Sequence, residues 1–187
     1  SLSMPPLYDL PAEIAPGRHR LTVRVDNSHL LVDIGENSHS ITDHTQGNWN
    51  GLIGRLELQV LPVRHIRALK VVPDARNRSV RFEGAVDGGG EAVTLEVSDF
   101  ADGRSRGMAE AAVGADGGFA GVVDLGPDAP LWDAFSPHLY RAAVRLESGP
   151  SLSRVIGLRQ IETEGRHILL NGRPIFVRAT LECCIFP

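Results

Sequence analysis

The sequence contains very little lysine and cysteine, and each shortage narrows its possible functions. Lys70 is the only lysine among 19 basic residues, and the formal net charge is −4. Nucleic-acid binding usually requires a basic face, so we expect no nucleic-acid partner. The two cysteines, Cys183 and Cys184, are adjacent, and adjacent cysteines rarely meet disulfide geometry. We therefore expect no structural disulfide, and the cysteines do not indicate a compartment.

Long apolar runs are also missing. No apolar segment approaches the roughly 20 residues that a membrane-spanning helix needs, so we expect no membrane partner. No signal-peptide pattern opens the sequence, and Ser1-Leu2-Ser3 resembles a cloning remnant. The natural N-terminus is therefore expected to be absent, which leaves cytoplasmic, periplasmic and secreted locations open.

What the sequence does have is alternation with a period of two. Apolar and polar residues alternate in four segments: 21–25, 56–60, 80–86 and 93–97. Such alternation is typical of strands with one buried face. Three Asp-Gly pairs follow or separate these segments, at 87–88, 102–103 and 116–117, and are suited to tight hairpin turns. Long helical patterns are absent, so the sequence predicts an all-β fold.

The spacing of the predicted strands divides the chain into three parts. Residues 64–163 offer about seven short strands at intervals of roughly 8–12 residues, which is typical of an immunoglobulin-like β-sandwich. Residues 1–63 supply only three or four strands, a partial sheet whose open edge would favour self-association. In residues 164–187 two apolar segments flank Asn171-Gly172, a strong signal for a β-hairpin.

The polar loop at residues 38–50 holds the candidate binding residues. Asp43, Asn48 and Trp49 are candidates for contacting a sugar, because polar side chains pair with hydroxyl groups and an indole stacks on a sugar ring. The alternative is structural, since Asn and Asp are common in loops and Trp49 would then anchor a sheet edge.

Other conspicuous residues are predicted to be structural. His39 and His44 near Asp43 match no established zinc signature, so no metal site and no cofactor are predicted. Trp132 is expected to pack at the end of the sandwich, and Tyr140 to lie in the core with its hydroxyl hydrogen-bonded. Four arginines that flank turns are expected to be solvated loop charges: Arg76, Arg78, Arg104 and Arg106.

Three stretches, taken in order, carry a family resemblance. They are residues 16–27 with 48–58, residues 130–140 (PLWDAFSPHLY), and residues 157–159 with 170–178 (LNGRPIFVR). They resemble the family 2 glycoside hydrolases, the group containing β-galactosidases, β-glucuronidases and β-mannosidases. The resemblance implies the end of a jelly-roll sugar-binding domain at 1–63, an immunoglobulin-like domain at 64–163, and the opening hairpin and first strand of a (β/α)8 barrel at 164–187.

The resemblance also implies an activity for the full-length parent. Such a parent would hydrolyse O-glycosidic bonds with retention, using two carboxylates about 5–5.5 Å apart. In this family both catalytic carboxylates lie on later barrel strands, beyond Pro187, so this chain is expected to contain no catalytic residue and to be inactive alone. Its expected partners are the missing barrel and, through the full-length enzyme, a carbohydrate substrate.

The end of the chain departs from the family pattern. The family places Gly, Asn and His where this sequence has Ala179, Leu181 and Cys183, so the sequence does not predict which sugar is bound. Glu182 is expected to be a carboxylate of the pocket wall that contacts the substrate, and the alternative is a catalytic role. The alternative function is a free-standing immunoglobulin-like module for carbohydrate binding or adhesion, which would not need the segment 159–187.

Overall fold

The computed structural model describes residues 7–11, 13–26, 51–52, 54–90, 92–147 and 149–180. The chain divides into two compact units, Ser1–Leu58 with Ala179–Pro187, and Gln59–Arg178. The described residues contain strands and no helix, so the predicted all-β class is confirmed. It follows that they include no helix with the length and hydropathy needed to span a bilayer.

Two strands predicted in residues 1–63 are not formed. The segments 21–25 and 56–60 alternate as predicted, but neither forms a strand. Leu21 is 67% exposed and Leu56 is 73% exposed. Alternation specifies which side chains could share a face, but it does not supply the neighbouring strand that a ladder needs. The self-association expected from an open edge here stays a prediction.

Seven strands of the second unit form a sandwich of two antiparallel sheets. They are β1 (His65–Asp74), β2 (Ser79–Asp87), β3 (Ala92–Asp99), β4 (Ser105–Ala112), β5 (Gly118–Asp124), β6 (Tyr140–Arg145) and β7 (Leu152–Ile156). One sheet has the order β1-β2-β5 and the other β4-β3-β6-β7. Two antiparallel sheets of seven strands packed on a common core are the immunoglobulin-like architecture that the strand spacing predicts.

The core of the sandwich follows directly from the alternation. Val80 and Phe82 point inward from β2, and Val93, Leu95 and Val97 point inward from β3, each at most 2% exposed. Burying a side chain of this size contributes about 1.5–3 kcal/mol. The period of two therefore specifies both the strands and the faces that they bury.

The Asp-Gly pairs form turns, but only one of the three forms a hairpin. Gly88, Gly103 and Gly117 all have a positive φ, between 73° and 80°. Gly103 joins β3 to its hydrogen-bonded neighbour β4, whereas the turns at Gly88 and Gly117 carry the chain from one sheet to the other. A positive φ permits a sharp reversal, but contacts distant in sequence decide which strands pair.

Tyr140 holds the segment that connects β5 to β6 by a hydrogen bond from its buried side chain. Its side chain is fully buried, and its hydroxyl donates a 2.7 Å hydrogen bond to the carbonyl oxygen of Pro130. The acceptor lies ten residues upstream. A buried tyrosine at the start of this strand, hydrogen-bonded to the backbone before it, is a hallmark of immunoglobulin-like sandwiches. The predicted structural role of Tyr140 is therefore confirmed, and its burial raises the pKa of the phenol.

Substituting Tyr140→Phe is expected to lower the free energy of unfolding by about 1 kcal/mol, because the Pro130 carbonyl loses its donor while the packing of the ring is retained. Urea unfolding measures the change. Tyr8→Phe is the control, since Tyr8 is 83% exposed. Equal stability of the two variants would contradict the role assigned to the hydroxyl.

The predicted hairpin is present and belongs to a third sheet. Strands β8 (Ile161–Glu164), β9 (His167–Leu170) and β10 (Arg173–Ile175) pair in the order β10-β9-β8. Asn171 and Gly172 connect β9 to β10 with φ values of 51° and 77°. Two positive φ values are what a tight two-residue hairpin turn requires, and Asn-Gly supplies them with little strain.

Candidate functional site

The residues predicted from sequence to bind sugar are not among the described residues. Asp43, Asn48, Trp49 and Glu182 all lie outside the described residues, as do the histidines of the polar loop. Their roles stay predictions. The described part of the chain contains a buried charged cluster and a junction between sheets, and both are candidates for a functional role.

The charged cluster is centred on Asp99, at the end of β3. The side chain of Asp99 is only 6% exposed, and the Arg106 guanidinium contacts its Oδ2 at 2.7 and 2.8 Å. His138 Nε2 lies 2.8 Å from the other oxygen, Oδ1. The His138 ring meets the Tyr140 ring edge to face at a centroid distance of 4.7 Å. The cluster therefore ties β3, β4 and the segment before β6 together.

The electrostatics of this cluster identify it as structural. Burial alone would raise the pKa of Asp99, but the hydrogen bonds from Arg106 and His138 outweigh it and lower that pKa below its ordinary value. A glycosidase general acid needs the opposite, a carboxyl group whose pKa is raised so that it holds a proton near neutral pH. Asp99 has both oxygens occupied and stays ionised, so it stabilises the fold rather than transferring protons.

The prediction that Arg106 is a solvated loop charge is therefore wrong. Its partner Asp99 raises the pKa of the guanidinium, which is only 21% exposed. The signal was present in the sequence, because Asp99 continues the inward phase of Val93, Leu95 and Val97. A carboxylate in phase with a buried face requires a cationic or hydrogen-bonding partner.

The junction between the sandwich and the third sheet is built on Trp132. Its backbone N–H donates to the Leu158 carbonyl at 3.0 Å. Its side chain packs so closely on Gly157 that an added Cβ there would lie 3.0 Å from the indole Cγ. The Arg159 guanidinium lies over the indole ring, 4.6 Å from its centroid. Leu158 itself is fully buried in the core, so the chain leaves the sandwich in a fixed direction.

Asn171 completes the junction from the hairpin turn. Its Oδ1 accepts from the Gln160 backbone N–H at 2.9 Å, and its Nδ2 donates to the Trp132 carbonyl at 2.9 Å. Its own backbone N–H donates to the Gln160 carbonyl. One side chain therefore links the hairpin turn, the connecting segment and the end of the sandwich. The Asn-Gly pattern predicts the turn, but not these contacts across the junction.

A second link joins the β1–β2 turn to β8. Arg76 forms an ion pair with Glu162, and Gln160 Nε2 donates to the same Glu162 oxygen at 3.0 Å. Arg78, from the same turn, donates to the Ala129 carbonyl at 2.7 Å. Arg76 keeps 69% of its side chain exposed, so it is solvated as predicted although it is also ion-paired. Arg78 is half-buried, and the prediction that it is a solvated loop charge is wrong.

An open cleft of about 560 Å³ lies beside this junction. The β1–β2 turn, the start of β2 and the connecting segment 159–161 line it. Its polar wall consists of Asp74, Arg76, Asn77, Ser79, Arg81, Arg159 and Gln160. Hydrogen bonds from Asn77, together with others from the turn, lower the pKa of Asp74 and hold its carboxylate in the turn. The described residues contain no group of three or more His, Cys, Asp or Glu suited to a metal ion.

Comparison with known proteins finds glycosidases. The β-galactosidase of Aeromonas hydrophila is 26% identical over 191 residues, which cover 94% of this chain and 18% of that protein. The β-galactosidase of Enterobacter cloacae is 28% identical over 202 residues, with the same two coverages. A structure of Bifidobacterium dentium β-glucuronidase, 19% identical, superposes with a TM-score of 0.50 over 59% of this chain and 21% of that one. No family model matches the chain.

The structural comparison and the sequence comparisons support different conclusions. The structural likeness, at 19% identity, shows the fold alone. The sequence matches extend over nearly the whole chain, which spans about a fifth of the length of the curated relatives. Those relatives are glycoside hydrolases. The predicted resemblance is thereby confirmed: over nearly all of its length, the chain is similar to a segment of these β-galactosidases.

Proposed function

We propose that this chain is a non-catalytic accessory region of a family 2 glycoside hydrolase, whose sandwich holds the beginning of a catalytic domain in place. The observation that supports this most strongly is the junction at Trp132 and Asn171. Two side-chain hydrogen bonds of Asn171 and the packing of Trp132 on Gly157 fix the third sheet to the end of the sandwich. The parent enzyme would hydrolyse O-glycosidic bonds with retention.

The outward face of the third sheet supports the same proposal. Ile168 pairs directly with Ile175, and Ile161 pairs with Leu170, so these four side chains share one face. The three isoleucines are between 40% and 62% exposed, whereas Leu169 on the opposite face is buried. Thr163 and Arg173 pair with Ile168 and Leu170 and therefore lie on the same face, so the four apolar side chains form a patch on it. An exposed apolar patch bordered by polar residues is typical of a contact surface. On this proposal it packs against the catalytic barrel, and residues 164–187 form the barrel's opening hairpin and first strand.

The domain boundaries predicted from sequence become part of the proposal. Residues 1–63 would belong to the jelly-roll sugar-binding domain, and residues 64–163 would form the immunoglobulin-like domain. A free-standing binding module would have no need of a sheet fastened to the end of the sandwich with its apolar face outward.

The purified chain is expected to show no turnover of nitrophenyl glycosides. The reaction requires a pair of carboxylates, one of them with a raised pKa. The hydrogen bonds of Asp74 and Asp99 instead lower the pKa values of these two carboxyl groups. A panel of nitrophenyl galactosides, glucuronides and mannosides measures this directly. Turnover that Glu182→Gln abolishes would contradict the proposal, because it would place a catalytic carboxylate within this chain.

A further inference from the structure

The cleft beside the junction carries more positive than negative charge on its wall. Arg76, Arg81 and Arg159 contribute three guanidinium groups, and Asp74 is the one carboxylate among the lining residues. Both Asp74 oxygens already accept hydrogen bonds from the turn. A cleft of this volume falls within the range of about 300–1,000 Å³ that holds small ligands.

The guanidinium groups differ in how their charge is compensated. Arg76 has a carboxylate of its own, Glu162, whose other contact is the neutral amide of Gln160. Arg81 lies 3.4 Å from Glu83, whose other oxygen binds Lys70 at 3.1 Å. A single carboxylate between two cations neutralises neither of them fully. The nearby acidic residues therefore reduce the positive charge of the cleft without cancelling it.

Arg159 is the best-placed group for binding a ligand. Its guanidinium lies over the Trp132 ring, and it has no carboxylate partner among the described residues. Stacking uses the flat face of a guanidinium and leaves the N–H groups at its edge available. Those donors match the two oxygens of a carboxylate in a bidentate arrangement.

Two neutral polar residues, Ser79 and Gln160, line the same cleft as the three arginines. Neither the Ser79 hydroxyl nor the side-chain carbonyl of Gln160 has a hydrogen-bond partner within the described residues. Groups of this kind pair with ligand hydroxyls. The wall therefore combines receptors for one carboxylate with receptors for hydroxyl groups.

We infer that this cleft is a binding site for a sugar acid, with the carboxylate held by Arg159 and Arg81. The choice of a sugar rests on the proposed function, whereas the choice of an acid rests on the cleft itself. The site lies on the accessory sandwich and the segment that leaves it, and it requires no catalytic group.

The test is a titration of the ¹⁵N-labelled chain with sodium D-glucuronate, followed by NMR. Saturable shifts are expected at the amides of residues 74–81 and 159–161, with a Kd of about 1 mM for a ligand of this size. D-glucose is expected to bind at least about tenfold more weakly, because it lacks the carboxylate. Inorganic phosphate tests whether any anion suffices, and it is expected to bind more weakly than glucuronate.

Two variants address the cations separately. Arg159→Gln and Arg81→Gln are each expected to weaken glucuronate binding at least about tenfold. Arg81 makes no contact with Trp132, so its variant tests the site even if Arg159→Gln disturbs the junction. Arg154→Gln is the matched control, since Arg154 is exposed on β7 and outside the cleft.

Absence of saturable shifts, equal binding of glucose, or equal loss in Arg154→Gln would overturn the inference. Phosphate binding as tight as glucuronate binding would overturn the assignment to a sugar acid. Because the titration does not depend on turnover, its failure would leave the proposed accessory function intact, and activity of the chain would not bear on the cleft.

Discussion

Replacing Asp99 with asparagine is expected to lower the free energy of unfolding by about 3 kcal/mol at neutral pH, the low end of the cost of breaking a buried ion pair. The low end applies because Arg106 and His138 keep about a quarter of their side-chain surface exposed. Asparagine preserves the shape of the side chain, so packing is nearly unchanged. What is lost is the negative charge that both partners contact.

The stability difference between wild type and Asp99→Asn is expected to become smaller at acidic pH. The pKa of Asp99 is lowered in the folded protein, so between that value and the ordinary value near 4 the unfolded chain binds more protons. The stabilisation by Asp99 is therefore complete above about pH 4 and is lost as the pH falls through the lowered pKa. The difference between wild type and Asp99→Asn should shrink over that interval.

Urea unfolding at pH 7 and at pH 3 measures both effects. The lowered pKa of Asp74 acts equally in the two proteins and cancels in their difference. Asp128→Asn is the control, because Asp128 is exposed and makes no ion pair in the described part of the chain. A variant as stable as wild type at pH 7, or a stability difference that does not change with pH, would show that the cluster does not stabilise the sandwich.

Replacing Asn171 with glycine is expected to loosen the third sheet while leaving the sandwich intact. Glycine accepts the positive φ of 51° at this position, so the turn itself is not strained. The variant loses the hydrogen bonds to Gln160 and Trp132, at a cost of about 2 kcal/mol in total. The change is local because β1–β7 keep their own core.

Amide hydrogen exchange distinguishes a local change from a global one. Protection of β8–β10 is expected to fall by a factor of roughly 30, which corresponds to about 2 kcal/mol, with β1–β7 unaffected. Glu164→Gln, an exposed substitution in the same sheet, is expected to change neither region. A uniform loss of protection across both regions, or none at all, would mean that Asn171 does not join the sheet to the sandwich.

Patterns of neighbouring residues predicted the core positions of the sandwich and the hairpin. Alternation placed Val80, Phe82 and Leu95 in the core, and Asn171-Gly172 formed the expected hairpin. Alternation at 21–25 predicted a strand that the structure does not form, because a strand also needs a neighbour. The Asp-Gly turn at Gly117 crosses between sheets for a related reason, since partner choice depends on distant residues.

The candidate sites depend even more on contacts distant in sequence. The cluster joins Asp99 to His138, 39 residues further along the chain, and the Arg76–Glu162 pair spans 86 residues. The cleft likewise combines a turn near residue 76 with a segment near residue 160. No spacing rule links such residues, so the sequence alone does not show that Arg78 and Arg106 are partly buried. The burial of Asp99 alone could have been inferred, from its phase on β3.

The central claim is that this chain supports a catalytic domain and does not contain one. The most direct test is to express the natural gene in full and to compare its turnover of nitrophenyl glycosides with that of the 187-residue chain. The proposal predicts that the gene continues past the codon for Pro187 through a barrel of some 250 residues, that the full-length protein hydrolyses at least one substrate, and that the chain alone hydrolyses none. A stop codon after Pro187, or equal turnover by the chain alone, would contradict it.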